Sequence, residues 1–340
     1  MPLKTIVMLA AAAFCAAIAP ATAYAFRFCA NSQAGIQFSL TASHDNGQDD
    51  EIDIPAGTYS LTSNLVFNST ESNSLLVIGG WNSDCSLFTG GRTVLDGQGS
   101  VAPLTIYSDN GDIFVQWITF ANGAGHGLKA ETHNNQIQID HNRFYLNQGA
   151  GNDGAAGLDA STVAGEIRVR GNLLFLNTST VYTGGISVNS NGSVAYIVGN
   201  TIVDNTAGSA GFAGGLSVSG GAHFWVSDNI IWANHTNGAP DFKSNTWNAL
   251  INNDIGTTAG TPPDAVSQGN QSTDPAFATC TGLLCFSFEL TRASPLVDAG
   301  YDAPPGSALA VDLDVKPRII GPHVDIGAYE EDVLFANGFD

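Results

Sequence analysis

The sequence predicts an all-β fold, a right-handed parallel β-helix with three-strand coils. Three observations carry this. A short phrase recurs four times: Ile137-Gln-Ile-Asp-His-Asn142-Arg-Phe-Tyr-Leu-Asn147, Ile167-Arg-Val-Arg-Gly-Asn172-Leu-Leu-Phe-Leu-Asn177, Ala195-Tyr-Ile-Val-Gly-Asn200-Thr-Ile-Val-Asp-Asn205 and Phe224-Trp-Val-Ser-Asp-Asn229-Ile-Ile-Trp-Ala-Asn234. Its first asparagine returns after 30, 28 and 29 residues, and the second always follows five later. A period of this size with short β-rich runs is that of a solenoid, whose units bury a core only by stacking. A third run precedes each phrase, at Gly127-Leu-Lys-Ala130, Gly157-Leu-Asp-Ala160, Gly185-Ile-Ser-Val188 and Gly215-Leu-Ser-Val218, which makes three strands per coil. Lastly, 39 glycines and only 12% charged residues make a poor helix former.

Residues 1–25 read as a secretory signal peptide. Lys4 supplies its positive end, Ile6 to Ala19 its apolar run, and Ala23-Tyr24-Ala25 a small-x-small cleavage site. The apolar run is too short for a membrane span, so no span is expected after the signal is removed. Residues 26–62 form an entry segment. In it, Ala30 to Ser43 is an amphipathic capping helix, and Glu51 to Tyr59 a first strand and turn. Further rungs follow at Leu75–Ile78, Thr93–Leu95, Leu104–Tyr107 and Ile113–Val115, punctuated by Gly79-Gly80, Asp96-Gly97 and Asn110-Gly111. The period decays from about 245, which sets the β-helix at 26–245. A C-terminal loop and cap follow over 246–330, hiding the terminal edge. Residues 331–340 are a tail.

Strand alternation assigns three inward stacks. They are Leu128, Leu158, Ile186, Leu216, then Ile139, Val169, Ile197, Val226, then Phe144, Leu174, Ile202, Ile231. Asn142, Asn172, Asn200 and Asn229 sit at the turn between second and third strands. There their amides can bond coil to coil as a structural ladder. The second asparagines are expected to cap the loops that follow.

The 11 Lys and Arg stand against 31 Asp and Glu, a net charge of -20. That excludes nucleic acid and anionic membrane as natural partners. After signal removal four cysteines remain, Cys29, Cys85, Cys280 and Cys285, which suggests disulfides in an exported chain. Three pairings are open. Close spacing favours Cys280 with Cys285, leaving Cys29 with Cys85 to tie the N-terminal cap to an early coil.

The C-terminal part carries Asp274-Pro-Ala-Phe277, Ser294-Pro-Leu-Val-Asp-Ala-Gly300, Asp312-Leu-Asp314 with Pro317-Arg318, and Val324-Asp-Ile-Gly-Ala-Tyr-Glu330. In these segments the chain resembles exported bacterial β-helix proteins of the choice-of-anchor Q type, within the wider pectate-lyase-like superfamily. Val315 departs from that pattern, which has glycine there. Leu334-Phe-Ala-Asn-Gly-Phe-Asp340 resembles the terminal tags of some Gram-negative exported proteins.

The superfamily resemblance implies polysaccharide lyases or hydrolases with a groove along the first strand. The outward columns there are Lys129, Asp159, Ser187, Ser217 and Glu131, Ser161, Asn189, Ser219, with His126 and Asp153 in adjoining loops. A lyase needs a cation and a base, roles for Lys129 and His126. A hydrolase needs two carboxyls, roles for Glu131 and Asp159. The plain alternative is a Lys129–Asp159 surface salt bridge. Asp312, Asp314 and Asp325 could hold a Ca²⁺ in the cap, or simply form turns. No other cofactor is implied.

On the second strand the outward column is Gln138, Arg168, Tyr196, Trp225. Aromatic faces beside a cation can hold sugar rings, which makes Tyr196, Trp225 and Arg168 the carbohydrate-binding candidates. Tyr145, Phe175, Val203 and Trp232 point outward from the third strand, so the 245–330 segment or a partner should cover them. The resulting expectation is a secreted or cell-surface monomer. It presents a repetitive surface to an extracellular polysaccharide or envelope component without catalysis, with a lyase or glycoside hydrolase as the alternative.

Overall fold

The computed structural model describes residues 26–150, 154–192, 194–234, 238–279 and 287–331. Residues 1–25, Asp153, Cys280, Cys285 and residues 332–340 lie outside these residues.

The chain coils into a three-sheet parallel β-helix, with the right-handed crossover that parallel connections take. In coil order, the first sheet runs from Leu65–Ser69 through Leu128–Thr132 to Thr258–Gly260 and has eight strands. The second runs from Phe26–Cys29 through Ile137–Asp140 to Asn248–Ile251 and has nine. The third runs from Gly57–Ser60 through Arg143–Tyr145 to Asp254–Ile255 and has eight. Each inward stack read from the sequence is in register. Those residues belong to one continuous apolar core along the axis. Helix α1 (Gln33–Ala42) closes the N-terminal end, capped by the Ser32 side chain, and buries Ile36 and Leu40 against the first coil. Cys29 and Cys85 form a disulfide joining the first strand of the second sheet to the loop after Leu75–Trp81.

The asparagines do more than expected. Asn142, Asn172, Asn200 and Asn229 are fully buried. The backbone N–H and Nδ2 of each donate to Oδ1 of the next, at 2.8–3.2 Å. The ladder continues through Asn253 to Asn270, past the point where the repeat fades in the sequence. Asn147, Asn177, Asn205 and Asn234 are not loop caps. They form a second ladder of the same kind, which ends on Asp241. A carboxylate suits that end because it accepts at both oxygens, the second taking Thr257 N–H and Oγ1–H. The residue before every ladder asparagine from 142 to 234 that has a side chain, such as His141, Leu146, Asp204 and Asp228, sits at positive φ. The amide bonds hold this strained turn in place.

The coils therefore extend beyond 245, to Thr258–Gly260, and the segment bridging at Gln268 and Gln271 closes them. Residues 287–331 pack against the side of the coils. They form a strap along the flank, over the outward apolar side of the third sheet. Phe175 and Leu173 pack with Leu313, Ala328 and Tyr329, while Val203 and Ile230 pack with Leu290, Leu296 and Ile326. Cover for Tyr145, Phe175, Val203 and Trp232 was expected, and these clusters supply it. Coil side chains pin the strap by its carbonyls. Arg143 donates to Leu313 O, Arg170 to Gly306 O, and the His141 imidazole meets Val311 O. Arg170 is itself held by the Asp140 carboxylate of the previous coil.

Asn200→Ala, in mid-ladder, strands the Asn172 donors and the Val169 carbonyl. At about 1–3 kcal/mol for each buried unpaired group, a loss of about 3 kcal/mol or more is expected. Asn270→Ala, at the end of the ladder, should cost much less. Urea unfolding of the two variants measures the difference, and equal losses would contradict the ladder as the stabilising element.

Candidate functional site

The strap covers the outward apolar side of the third sheet's middle strands and part of the second sheet. The outer face of the first sheet stays open, and the sequence-predicted columns lie on it in register. Thr105, Lys129, Asp159, Ser187, Ser217 and Lys243 follow one another rung by rung. Beside them run Tyr107, Glu131, Ser161, Asn189 and Ser219.

The charges do not pair as the sequence suggested. Lys129 Nζ lies 3.2 Å from Glu131 Oε1, two residues along its own strand, and no salt bridge joins it to Asp159. It also lies over the Tyr107 ring, 5.5 Å from its centroid. Asp159 is only 8% exposed and accepts from Gly154 N–H. A Cβ at Gly154 would stand 2.4 Å from Asp159 Oδ1, so the loop presses directly on the carboxyl. Burial raises the Asp159 pKa to about 6, against the lowering pull of Lys129. His126 is 6% exposed and its Nε2 meets Thr105 Oγ1 at 2.8 Å. It is packed into the loop layer, where a base for a groove-bound substrate would have to be exposed. The expected lyase pair of Lys129 and His126, and the hydrolase pair of Glu131 and Asp159, are thus near one another in the fold. In each pair one member, His126 or Asp159, is buried beneath the loops.

Two residues beyond Tyr107, Glu131, Ser161 and Asn189 lies a column the sequence reading missed: Asp109, His133, Val163, Asn191. Backbone bonds from His133 N to Asp109 O and from Val163 N to His133 O set its register. The two columns line a groove of about 230 Å³. His133 Nδ1 meets Asp109 Oδ1 at 3.0 Å. The available signal was a histidine directly after the strand that ends at Thr132, with an aspartate 24 residues earlier.

The second sheet's outward column is Gln138, Arg168, Tyr196, Trp225, as read from the sequence. Arg168 lies over the Tyr196 ring at 5.8 Å and pairs with Glu166. Tyr196 is partly covered, because the Gly306 backbone of the strap rests on its ring. Trp225 stays half-exposed and meets Trp247 edge-on at 6.2 Å, with His223 against both rings. Trp247 is 43% exposed. Beside this cluster a second open depression is lined by Gln136, Glu166, Arg168 and Val194.

In the strap, backbone donors already fill the aspartates considered for Ca²⁺. Asp312 Oδ1 accepts from Asp314 N and Lys316 N, and Oδ2 from Glu330 N. Asp325 accepts from Asp298 N and Glu331 N, and Asp314 pairs with Arg143. This is the turn-forming arrangement, and among the described residues no metal-holding cluster of His, Cys, Asp and Glu is found. Nor, among them, is any helix long and apolar enough to cross a membrane.

No family model and no curated protein matches the chain. Among solved structures, that titled crystal structure of pectate lyase Pel9A superposes with a TM-score of 0.44 at 12% identity, covering 92% of this chain and 98% of that one.

Because the folded pKa of Asp159 lies above its ordinary 3.8, the fold favours the protonated acid. That stabilisation is complete below pH 3.8 and is lost as pH rises through about 6. Asp228, raised to about 7 by burial, acts in the same direction. These two carboxyls should lower the unfolding midpoint between pH 3.8 and about 7, while His141, lowered to about 4 by burial, opposes them below pH 6.5. Asp159→Asn, which keeps a neutral acceptor for Gly154, should flatten part of that fall in a pH series of thermal melts. An unchanged slope would mean that Asp159 ionises freely in the folded protein.

Proposed function

We propose that this chain is an exported, choice-of-anchor Q type β-helix protein. It holds an extracellular polysaccharide on its open faces after loss of residues 1–25. The observation that carries the reading is the aromatic cluster of Trp225, His223 and Trp247, with Trp247 well exposed, next to Arg168 and Glu166. A pyranose stacks its C–H face on such rings while its hydroxyls bond to planar polar side chains. Gln136, Glu166 and Arg168 supply those in the adjoining depression. The Cys29–Cys85 disulfide agrees with an oxidising, extracytoplasmic location.

Binding here needs no cofactor. Trp247 takes the place that the sequence reading gave to Tyr196, whose ring the strap occupies. The ligand is a neutral glycan more readily than a uronate, since Arg168 is already paired and the molecule is strongly acidic.

Affinity gel electrophoresis on a panel of neutral and uronate polysaccharides tests this. One neutral polymer should retard the protein. Trp247→Ala combined with Trp225→Ala should weaken retention about tenfold, equivalent to about 1.4 kcal/mol. Lys129→Ala and His126→Ala should leave it unchanged. Equal retention of the double tryptophan variant would reject the aromatic platform.

A further inference from the structure

The first-sheet groove holds chemistry that glycan binding does not use. Its column of Tyr107, Glu131, Ser161 and Asn189 and its column of Asp109, His133, Val163 and Asn191 form one polar cleft. Within it the Asp109 carboxylate meets the His133 ring at Nδ1, with side chains 46% and 62% exposed. A proton on Nδ1 shared with Asp109 leaves the lone pair on Nε2, the nitrogen available to a ligand in the cleft. The buried Thr132 hydroxyl also lines the groove and has no hydrogen-bond partner among the described residues.

Two reactions fit this cleft poorly. Glycoside hydrolysis needs two accessible carboxyl groups flanking the bond. The groove's two carboxyls are already engaged, Glu131 by Lys129 and Asp109 by His133, while Asp159 lies under Gly154. Elimination from a uronate needs a cation free for the substrate carboxylate, and Lys129 is occupied by Glu131. A histidine oriented by an aspartate needs neither. It can activate water against a carbonyl that is already electrophilic.

We propose that this groove hydrolyses O-acyl esters on a glycan, with His133 as general base and Asp109 as its positioning residue. Water gives a proton to His133 Nε2 as its oxygen bonds to the acyl carbon. The resulting oxyanion is met by amide N–H donors, for which Asn189 and Asn191 stand in the same groove. The bond from acyl carbon to sugar oxygen then breaks, and that oxygen takes the proton back from His133. The products are a carboxylic acid and a free sugar hydroxyl. No metal, oxidant or second substrate is consumed. The identity of the alcohol as a glycan rests on the binding reading above, whereas the dyad stands on its own geometry.

The charged groups around His133 are Asp109 on the preceding coil and the Glu131–Lys129 pair on its own strand. Among the described residues the following coil brings Thr162, Val163 and Ala164, none of them charged.

The test measures acetate release from acetylated xylan, and p-nitrophenol release from p-nitrophenyl acetate, by the disulfide-bonded protein. The expected result is turnover that His133→Ala lowers by about 10²-fold or more, the usual share of a general base. Asp109→Asn should lower kcat with KM little changed, because the imidazole loses the carboxylate that orients it. A role in folding alone would leave the kcat of the folded protein in place. His133 is exposed, so its replacement should not unfold the protein. Equal turnover by wild type and His133→Ala, or hydrolysis of neither ester, would overturn the proposal. Cleavage of p-nitrophenyl acetate alone, dependent on His133, would uphold the dyad and overturn the glycan as its alcohol. Glycan retention on the polysaccharide panel is read separately, so either reading can fail without the other.

Discussion

Buried amides that bond one coil to the next are the constraint on which this molecule depends. Within each ladder an asparagine between the ends accepts two bonds from the coil before it and donates to the coil after it. Asn172, for example, accepts from Asn142 N and Nδ2, donates to Asn200, and also reaches back to the Ile139 carbonyl. A polar group with no water available must find all its partners at fixed positions. The ladders therefore allow neither slippage nor insertion within the strands they bracket. Length variation is pushed into the loops before the first sheet and between the first and second. Those loops and the neighbouring strand ends are where the exposed chemistry lies.

The same register explains the strap. Stacking places Tyr145 against Phe175, with ring centroids at 5.2 Å, and continues the apolar surface through Val203 and Trp232. An apolar stripe of that length needs cover in water. The strap has no strands of its own beyond isolated bridges, so it is held by side chains from the coils. Arg318 shows the internal version, buried and donating to the Asp325 and Gly327 carbonyls while paired with Glu330. The family-like segments Ser294–Gly300 and Val324–Glu330 thus serve to clad the flank. Cladding one flank leaves the first sheet and the edge of the second as the open surfaces.

The core was legible because inward positions obey a period of two within strands and of about 29 between them. Leu128, Val169 and Ile202 announce their places. The second ladder was harder to see, because an asparagine ahead of a loop reads equally as a loop cap. The last coils were hidden for a related reason. Their ladder spacing drops to 24 and then 17 residues, so Asn253 and Asn270 no longer align with the repeat. Trp247 was lost with them. Side-chain partners off the axis were not legible at all. Lys129 has a carboxylate one rung away and another two residues along its strand, and the backbone pattern favours neither. The choice of Glu131 comes from Asp159 being pressed under Gly154, a loop effect without a sequence period.

Charge placement narrows what the open face can recognise. Stacked coils lie about 4.8 Å apart, so a ligand chain lying along the axis meets a new rung at each short step. In the column Tyr107, Glu131, Ser161, Asn189 those rungs are a ring, a carboxylate, a hydroxyl and an amide. No two are alike, which makes this face a specific cleft where a uniform ladder would make a lattice. In the groove Lys129 is neutralised by Glu131, and the Asp109 carboxylate belongs to His133. A substrate carrying its own negative charge would find Lys129 already paired and would face the repulsion of a chain with net charge -20. A neutral ligand bonded through hydroxyl and carbonyl groups meets no such penalty. The fold's stiffness then favours it further, since donors fixed by stacked coils lose little freedom when they bind.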